Sequence, residues 1–154
     1  MVYVKALIEQ REFIILKTNA RRINMSRKYL NDIGIGDNPM VLSQDDGRWE
    51  QWKEEISEFG FPSYETWALD LFFYAWLYER LKMYLEVSCV DLSYHKFEFE
   101  GNVYTQKELI DRMIYGCGLA LLQDRTCKRL TTEEEKAVED VPWIWATVMP
   151  AMWW

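Results

Sequence analysis

The sequence predicts a mainly α, single helical domain around a long buried central helix, with one small β-hairpin. Three observations carry that reading. Residues 60–87, GFPSYETWALDLFFYAWLYERLKMYLEV, hold no Gly or Pro after Pro62, and residues 94–105 alternate apolar and polar side chains about Gly101-Asn102. Two Thr-x-x-Glu signatures, Thr105/Glu108 and Thr132/Glu135, each precede a helical pattern. A chain of 154 residues fits one domain. Within it we read a basic helical segment (1–36), a loop (37–48), core helices with the hairpin (49–130), and an acidic helix with a Trp-rich tail (131–154).

In chain order, residues 2–17 fit a helix through Val4, Leu7, Ile8, Arg11, Ile14 and Ile15, while Phe13-Ile14-Ile15-Leu16 alone also fits a strand. The surrounding good helix formers favour the helix. Residues 20–36 follow with Ala20, Ile23, Asn24, Met25, Ser26, Leu30 and Ile33 at suggestive positions. This stretch resembles the turn and second helix of a phage-repressor type helix-turn-helix. The resemblance implies that Ser26, Arg27, Lys28 and Tyr29 open a recognition helix facing duplex DNA. The other reading is a capped basic helix packed on the core.

Asp37-Asn38-Pro39 and Gln44-Asp45-Asp46-Gly47 bound the loop. Trp49, Trp52, Ile56 and Phe59 then share one face of an acidic helix, with Glu50, Glu54, Glu55 and Glu58 toward water and Gly60 as its left-handed stop. That helix is expected to pack antiparallel to the central one. Ser63 is the expected cap of the central helix, residues 63–87, whose apolar side chains surround it on nearly every side. Its interspersed charges exclude a membrane span. Asp70 among apolar neighbours reads as a structural contact to another element, the alternative being a catalytic carboxylate.

The run Gly60-Phe61, Glu65-Thr66-Trp67, Leu69-Asp70, Ala75 and Arg80-Leu81-Lys82, with Leu109-Ile110-Asp111-Arg112-Met113-Ile114 later, resembles a family of small uncharacterised phage proteins. It covers about a third of the chain and implies a phage or prophage context without an activity.

The hairpin leads to a helix over residues 106–123, with Leu109, Ile110, Met113, Ile114, Cys117, Leu121 and Leu122 on its apolar face. Gly116 and Gly118 there predict close approach of another helix, expected to be the central one, and not a nucleotide loop. Thr132 opens a short acidic helix that Pro142 and Pro150 divide from the tail. The tail, ending in Trp153 and Trp154, must dock in the protein's own core or on a partner.

The net charge of −7 is uneven: residues 1–36 hold seven Lys/Arg against three Asp/Glu, residues 37–60 two against seven, and residues 131–154 one against five. The basic head implies nucleic acid at one end or neutralisation within the fold. Eight Trp and 16% aromatics predict a dense core, an interaction surface, or both. Three irregularly spaced Cys and no signal-peptide pattern point to a reducing, cytoplasmic setting, and the phage resemblance implies that the cell is a bacterial host. His95 is the only histidine and has no local Ser or Cys motif; Cys89, Cys117 and Cys127 form no zinc knuckle. We therefore expect no enzyme activity, metal or cofactor.

The expected function is a non-enzymatic phage or prophage accessory protein that binds a host or phage protein complex. In its specific form it inhibits a nucleic-acid-handling defence complex in the manner of anti-CRISPR proteins. The candidate contact residues are Glu50, Glu54, Glu55, Glu58, Glu133, Glu134, Trp153 and Trp154. The alternatives are a helix-turn-helix DNA-binding regulator and a homo-oligomeric structural protein joined through the tail.

Overall fold

A computed structural model describes residues 28–34 and 47–152. The expected helix at 2–17, Ser26, Arg27, most of the 37–48 loop, Trp153 and Trp154 lie outside the described residues. Within them the chain forms α1 (Lys28–Asp32), α2 (Trp49–Phe59), a 3-10 turn (Ser63–Thr66), and α3 (Leu69–Val87). The strands β1 (Lys96–Phe99) and β2 (Asn102–Thr105) follow, then α4 (Gln106–Thr126), α5 (Thr132–Val148) and a 3-10 turn (Met149–Ala151). The protein is mainly α with one small antiparallel hairpin, as expected.

The core gathers around α4. Leu109, Ile110, Met113 and Cys117 are each 0% exposed, and they pack with Leu77, Tyr78 and Leu81 of α3 and Val141, Ile144 and Val148 of α5. The central helix of the sequence reading is thus one wall of the core, buried along only part of its length. Trp67 and Leu69 at its beginning, and Met83 and Val87 near its end, are exposed. An all-round apolar pattern states how much surface a helix could bury. It does not state how many neighbours reach it.

The start of that helix also differs. Ser63 heads a 3-10 turn without capping it, the chain leaves helical geometry at Ala68, and the α-helix begins at Leu69. Asp70 follows in the exposed first turn, where the helix dipole favours a carboxylate; it is not the buried contact expected. α2 has its expected bounds and its left-handed stop, Gly60 at φ 85°. It is not, however, an antiparallel partner seated in the main core. Trp52 is its buried residue, and it packs in a separate cluster with the rings of Tyr64 and Trp67 at 5.4 and 6.4 Å.

The hairpin turns one residue earlier than expected. Glu100 and Gly101 both have positive φ (52° and 73°), and Asn102 pairs with Phe99. Two successive left-handed residues give the strand twist that a two-residue hairpin needs. Thr105 caps α4 in the expected box, its hydroxyl accepting from the Glu108 N–H while the Glu108 carboxylate accepts from the Thr105 N–H. The second box is Thr131/Glu134, one residue before the expected pair.

α5 does not stop at Pro142. The proline lacks an N–H, and that break in the ladder is normally costly. Here Val141, Ile144 and Val148 are buried on both sides of it, so the packing holds the helix together.

Gly116 faces α5 and not α3. A Cβ there would overlap the Ala137 carbonyl oxygen and lie 2.5 Å from Val141 Cγ2. Gly118 meets Tyr78 of α3 at an ordinary 3.6 Å. Gly116→Ala is therefore expected to destabilise the protein by about 3 kcal/mol, at the upper end for overpacking because backbone must move. Gly118→Ala should be neutral or stabilising by up to about 1 kcal/mol, the helix-propensity gain of Ala over Gly. Urea unfolding of the two variants measures both, and a stable Gly116→Ala would refute the close crossing.

Candidate functional site

The sequence-derived contact residues separate by what each carboxylate does. On α2, Glu50, Glu54 and Glu58 recur every four residues and are all exposed, so they form a row with about 6 Å of rise between neighbours. Glu50 also meets Lys53 at 2.6 Å. Glu55 is engaged within the molecule, where it accepts from the Ser63 N–H at 2.6 Å and the Gln51 amide at 2.7 Å. Those bonds hold its carboxyl below the ordinary range and fasten the 3-10 turn to α2. Glu134 is likewise engaged as the α5 capping acid and meets Lys128 at 3.0 Å, whereas Glu133 is exposed.

At the end of α2 and in the segment that follows it, Phe59, Phe61, Trp67 and Leu69 are exposed by 59, 48, 63 and 65%. Trp67 among them is held by neighbouring rings. Trp52, Tyr64 and Trp67 contact one another in tilted and edge-to-face pairs, and the Arg48 guanidinium lies 4.7 and 4.9 Å from the Trp52 and Trp67 rings. Such stacking fixes an aromatic edge at the surface at low entropic cost.

The tail is in part docked on its own core. Met152 packs against it, Trp145 meets Trp76 at 6.1 Å, and the fully buried Gln106 donates through its side-chain amide to the Ala151 carbonyl. Trp143 remains 71% exposed.

Of the helix-turn-helix candidates, Lys28 and Tyr29 lie in α1. Tyr29 is 4% exposed within the core, and its hydroxyl donates to Glu86 at 2.7 Å, so its side chain is engaged within the molecule. Lys28 is exposed and 3.5 Å from the same carboxylate.

Sequence reasoning missed a polar network joining the hairpin to α4 and α5. Asp140, 5% exposed, accepts from Arg112 at 3.2 Å and from Lys136 at 3.0 Å, and Lys136 also reaches Glu100 in the hairpin turn. Arg112 lies over the Tyr104 and Phe99 rings. The Lys136/Asp140 spacing was a readable helical pair; the link to Arg112 needed the fold.

Among the described residues no group of His, Cys, Asp and Glu is placed to hold a metal. His95 is exposed against Tyr94. Cys117 is buried, which pushes its thiol up to about 12 and leaves it protonated, while Cys89 and Cys127 are free and exposed. No helix among the described residues is long and apolar enough to cross a membrane. Comparison of the chain with protein families, curated proteins and solved structures found no match.

Two expectations follow. Asp140→Ala should cost about 2–3 kcal/mol, because it removes charge-assisted bonds to two cations. Lys136→Ala, leaving Arg112 in place, should shift the unfolding midpoint far less. Glu86 is held below the ordinary carboxylate range chiefly by the Tyr29 hydroxyl, and Tyr29 is raised to about 12 chiefly by the same bond. The Glu86 contribution is therefore complete above about pH 4.5, its reference value, and is lost as pH falls through the lower folded value. The Tyr29 contribution is complete below about pH 10 and is lost as pH rises through about 12. In unfolding measured across the acid limb, Tyr29→Phe should lose less stability than the unsubstituted chain.

Proposed function

We propose that this protein works by binding another protein, through the exposed carboxylates of α2 and the exposed aromatic residues that follow it in the chain. The supporting observation is the combination of a row of exposed carboxylates, Glu50, Glu54 and Glu58, with the outward-facing Phe59, Phe61, Trp67 and Leu69. Carboxylates at regular spacing supply long-range attraction to a basic surface, and rigid aromatic side chains supply contact area. A partner whose own ligand is nucleic acid carries such a basic surface. In its specific form, then, the function is inhibition of a nucleic-acid-handling complex in a bacterial host by occupying the phosphate-binding face, with the chain in a phage or prophage context. The phage context rests on the motif resemblance, and the inhibition on the charge argument.

The burial of Tyr29 leaves the duplex-DNA alternative with less side-chain support, and we do not propose it. The homo-oligomer alternative rests on a tail whose last two residues are outside the described set.

The test is affinity capture with the full chain from bacterial host lysate, with and without nuclease. A stoichiometric protein partner should survive nuclease, and Glu54→Lys with Glu58→Lys should lose it while Glu133→Lys keeps it. A partner that disappears with nuclease, or one indifferent to the α2 reversals, would count against the reading.

A further inference from the structure

The hairpin is a sheet of two strands, so each strand is also an edge. One face of it lies on the core, where Phe97, Phe99 and Tyr104 pack. Lys96, Glu98 and Val103 are exposed on the other face. In an antiparallel pair the backbone groups of successive residues point alternately toward the partner strand and away from it. The Gln106 N–H donates to the His95 carbonyl, and Phe97 and Phe99 follow at alternate positions, so these residues bond inward to β2. The N–H and C=O groups of Lys96 and Glu98 therefore point out from β1, and among the described residues none takes them up. The β2 edge is different. There the outward Thr105 N–H is held by the Glu108 carboxylate at 2.7 Å, and α4 begins at the next residue. The open edge is that of β1.

An edge bearing charged side chains ordinarily resists pairing. The order Lys96-Phe97-Glu98 makes one pairing an exception. When β1 meets a second β1 antiparallel, about a two-fold axis at Phe97, Lys96 of each copy falls opposite Glu98 of the other. Those are the residues whose backbone groups point outward, so each such pair also exchanges both its N–H···O bonds. A parallel, in-register meeting would instead set Lys96 against Lys96 and Glu98 against Glu98, which destabilises a sheet. Neither side chain has a salt bridge of its own among the described residues. We propose that β1 is a dimerisation edge that takes the β1 strand of a second copy of this chain. The two hairpins then form one continuous sheet, with the β1 strands at its middle and the β2 strands outside. Because α4 closes each β2 edge, the sheet grows no further and the assembly is a closed dimer. The inference is independent of the α2 reading.

Sedimentation equilibrium of the full chain, at concentrations up to about 1 mM to suit a small interface, reads the association. The unsubstituted chain should dimerise. Lys96→Glu alone, or Glu98→Lys alone, sets like charges in both pairs and should weaken the dimer about tenfold or more. The two reversed chains mixed in equal amounts should pair with each other, because every charge pair across the axis is then opposite in sign. The doubly swapped chain, Lys96→Glu with Glu98→Lys, should recover the dimer. In hydrogen exchange the Lys96 and Glu98 amides should slow as concentration rises, while that of Val103, on the outer strand, should not. A chain that stays monomeric throughout overturns the proposal. So does a dimer indifferent to both reversals, which would belong to another surface, the tail included. Should a reversed chain lose its helical circular dichroism, the exchange measurement on the unsubstituted chain decides.

Discussion

The fold depends on the contact between Gly116 and the backbone of α5 at Ala137. No side chain separates α4 from α5 at that point, so the two helices approach more closely than any residue with a Cβ would permit. The approach brings Val141, Ile144 and Val148 into one core with Met113 and Cys117. It also brings Asp140 within reach of Arg112 on α4. The polar network, the seating of the hairpin through Lys136 and Glu100, and the uninterrupted course of α5 through Pro142 follow from that one placement.

Because the α4–α5 pair forms the centre, α3 is one wall of the core, packed on α4 through Leu77, Tyr78 and Leu81. It meets α5 through Trp76 and Trp145 and is bonded to Tyr29 and Leu30 through Glu86 and Glu79. Its buried residues, Ala75, Leu77, Tyr78 and Leu81, lie along its middle. The helix begins outside that contact, in the region that joins it to α2. There a second, smaller cluster forms from Trp52, Tyr64 and Trp67, steadied by the Glu55–Ser63 bond. The exposed aromatic edge, Phe59, Phe61, Trp67 and Leu69, thus lies in and around the segment that joins α2 to α3, outside the main core.

Local signals in the sequence were legible where the chemistry is local. The bounds of α2, its glycine stop and the Thr105 capping box each need only a few neighbouring residues, and each is found where expected. The second box slipped by one because Thr131 and Thr132 both precede Glu at the required spacing, with Glu134 and Glu135 as the respective acids. Pro142 misled for the opposite reason: its penalty is local, whereas the burial that overrides it comes from α4. The choice of α3 as the centre failed similarly. Its aromatic content is visible in the sequence, but the small residue that determines which helices meet is a single glycine on a different helix.

The candidate site was legible as composition, while the separate roles of its carboxylates were not. Glu50, Glu54, Glu55 and Glu58 are alike in sequence, and helical spacing sets Glu55 only one position from Glu54. One position is about 100° of rotation, enough to turn Glu55 toward the amide of Ser63 while Glu54 remains in water. Charge counts treat the four as equal, yet a carboxylate fixed by a backbone amide inside its own molecule is less able to attract a partner than one with an open solvent shell. The same distinction separates Glu133 from Glu134 on α5. A surface argued from charge must therefore be drawn after the internal hydrogen bonds have been assigned, and here that assignment separates Glu55 from the exposed Glu54 and Glu58 of the same helix.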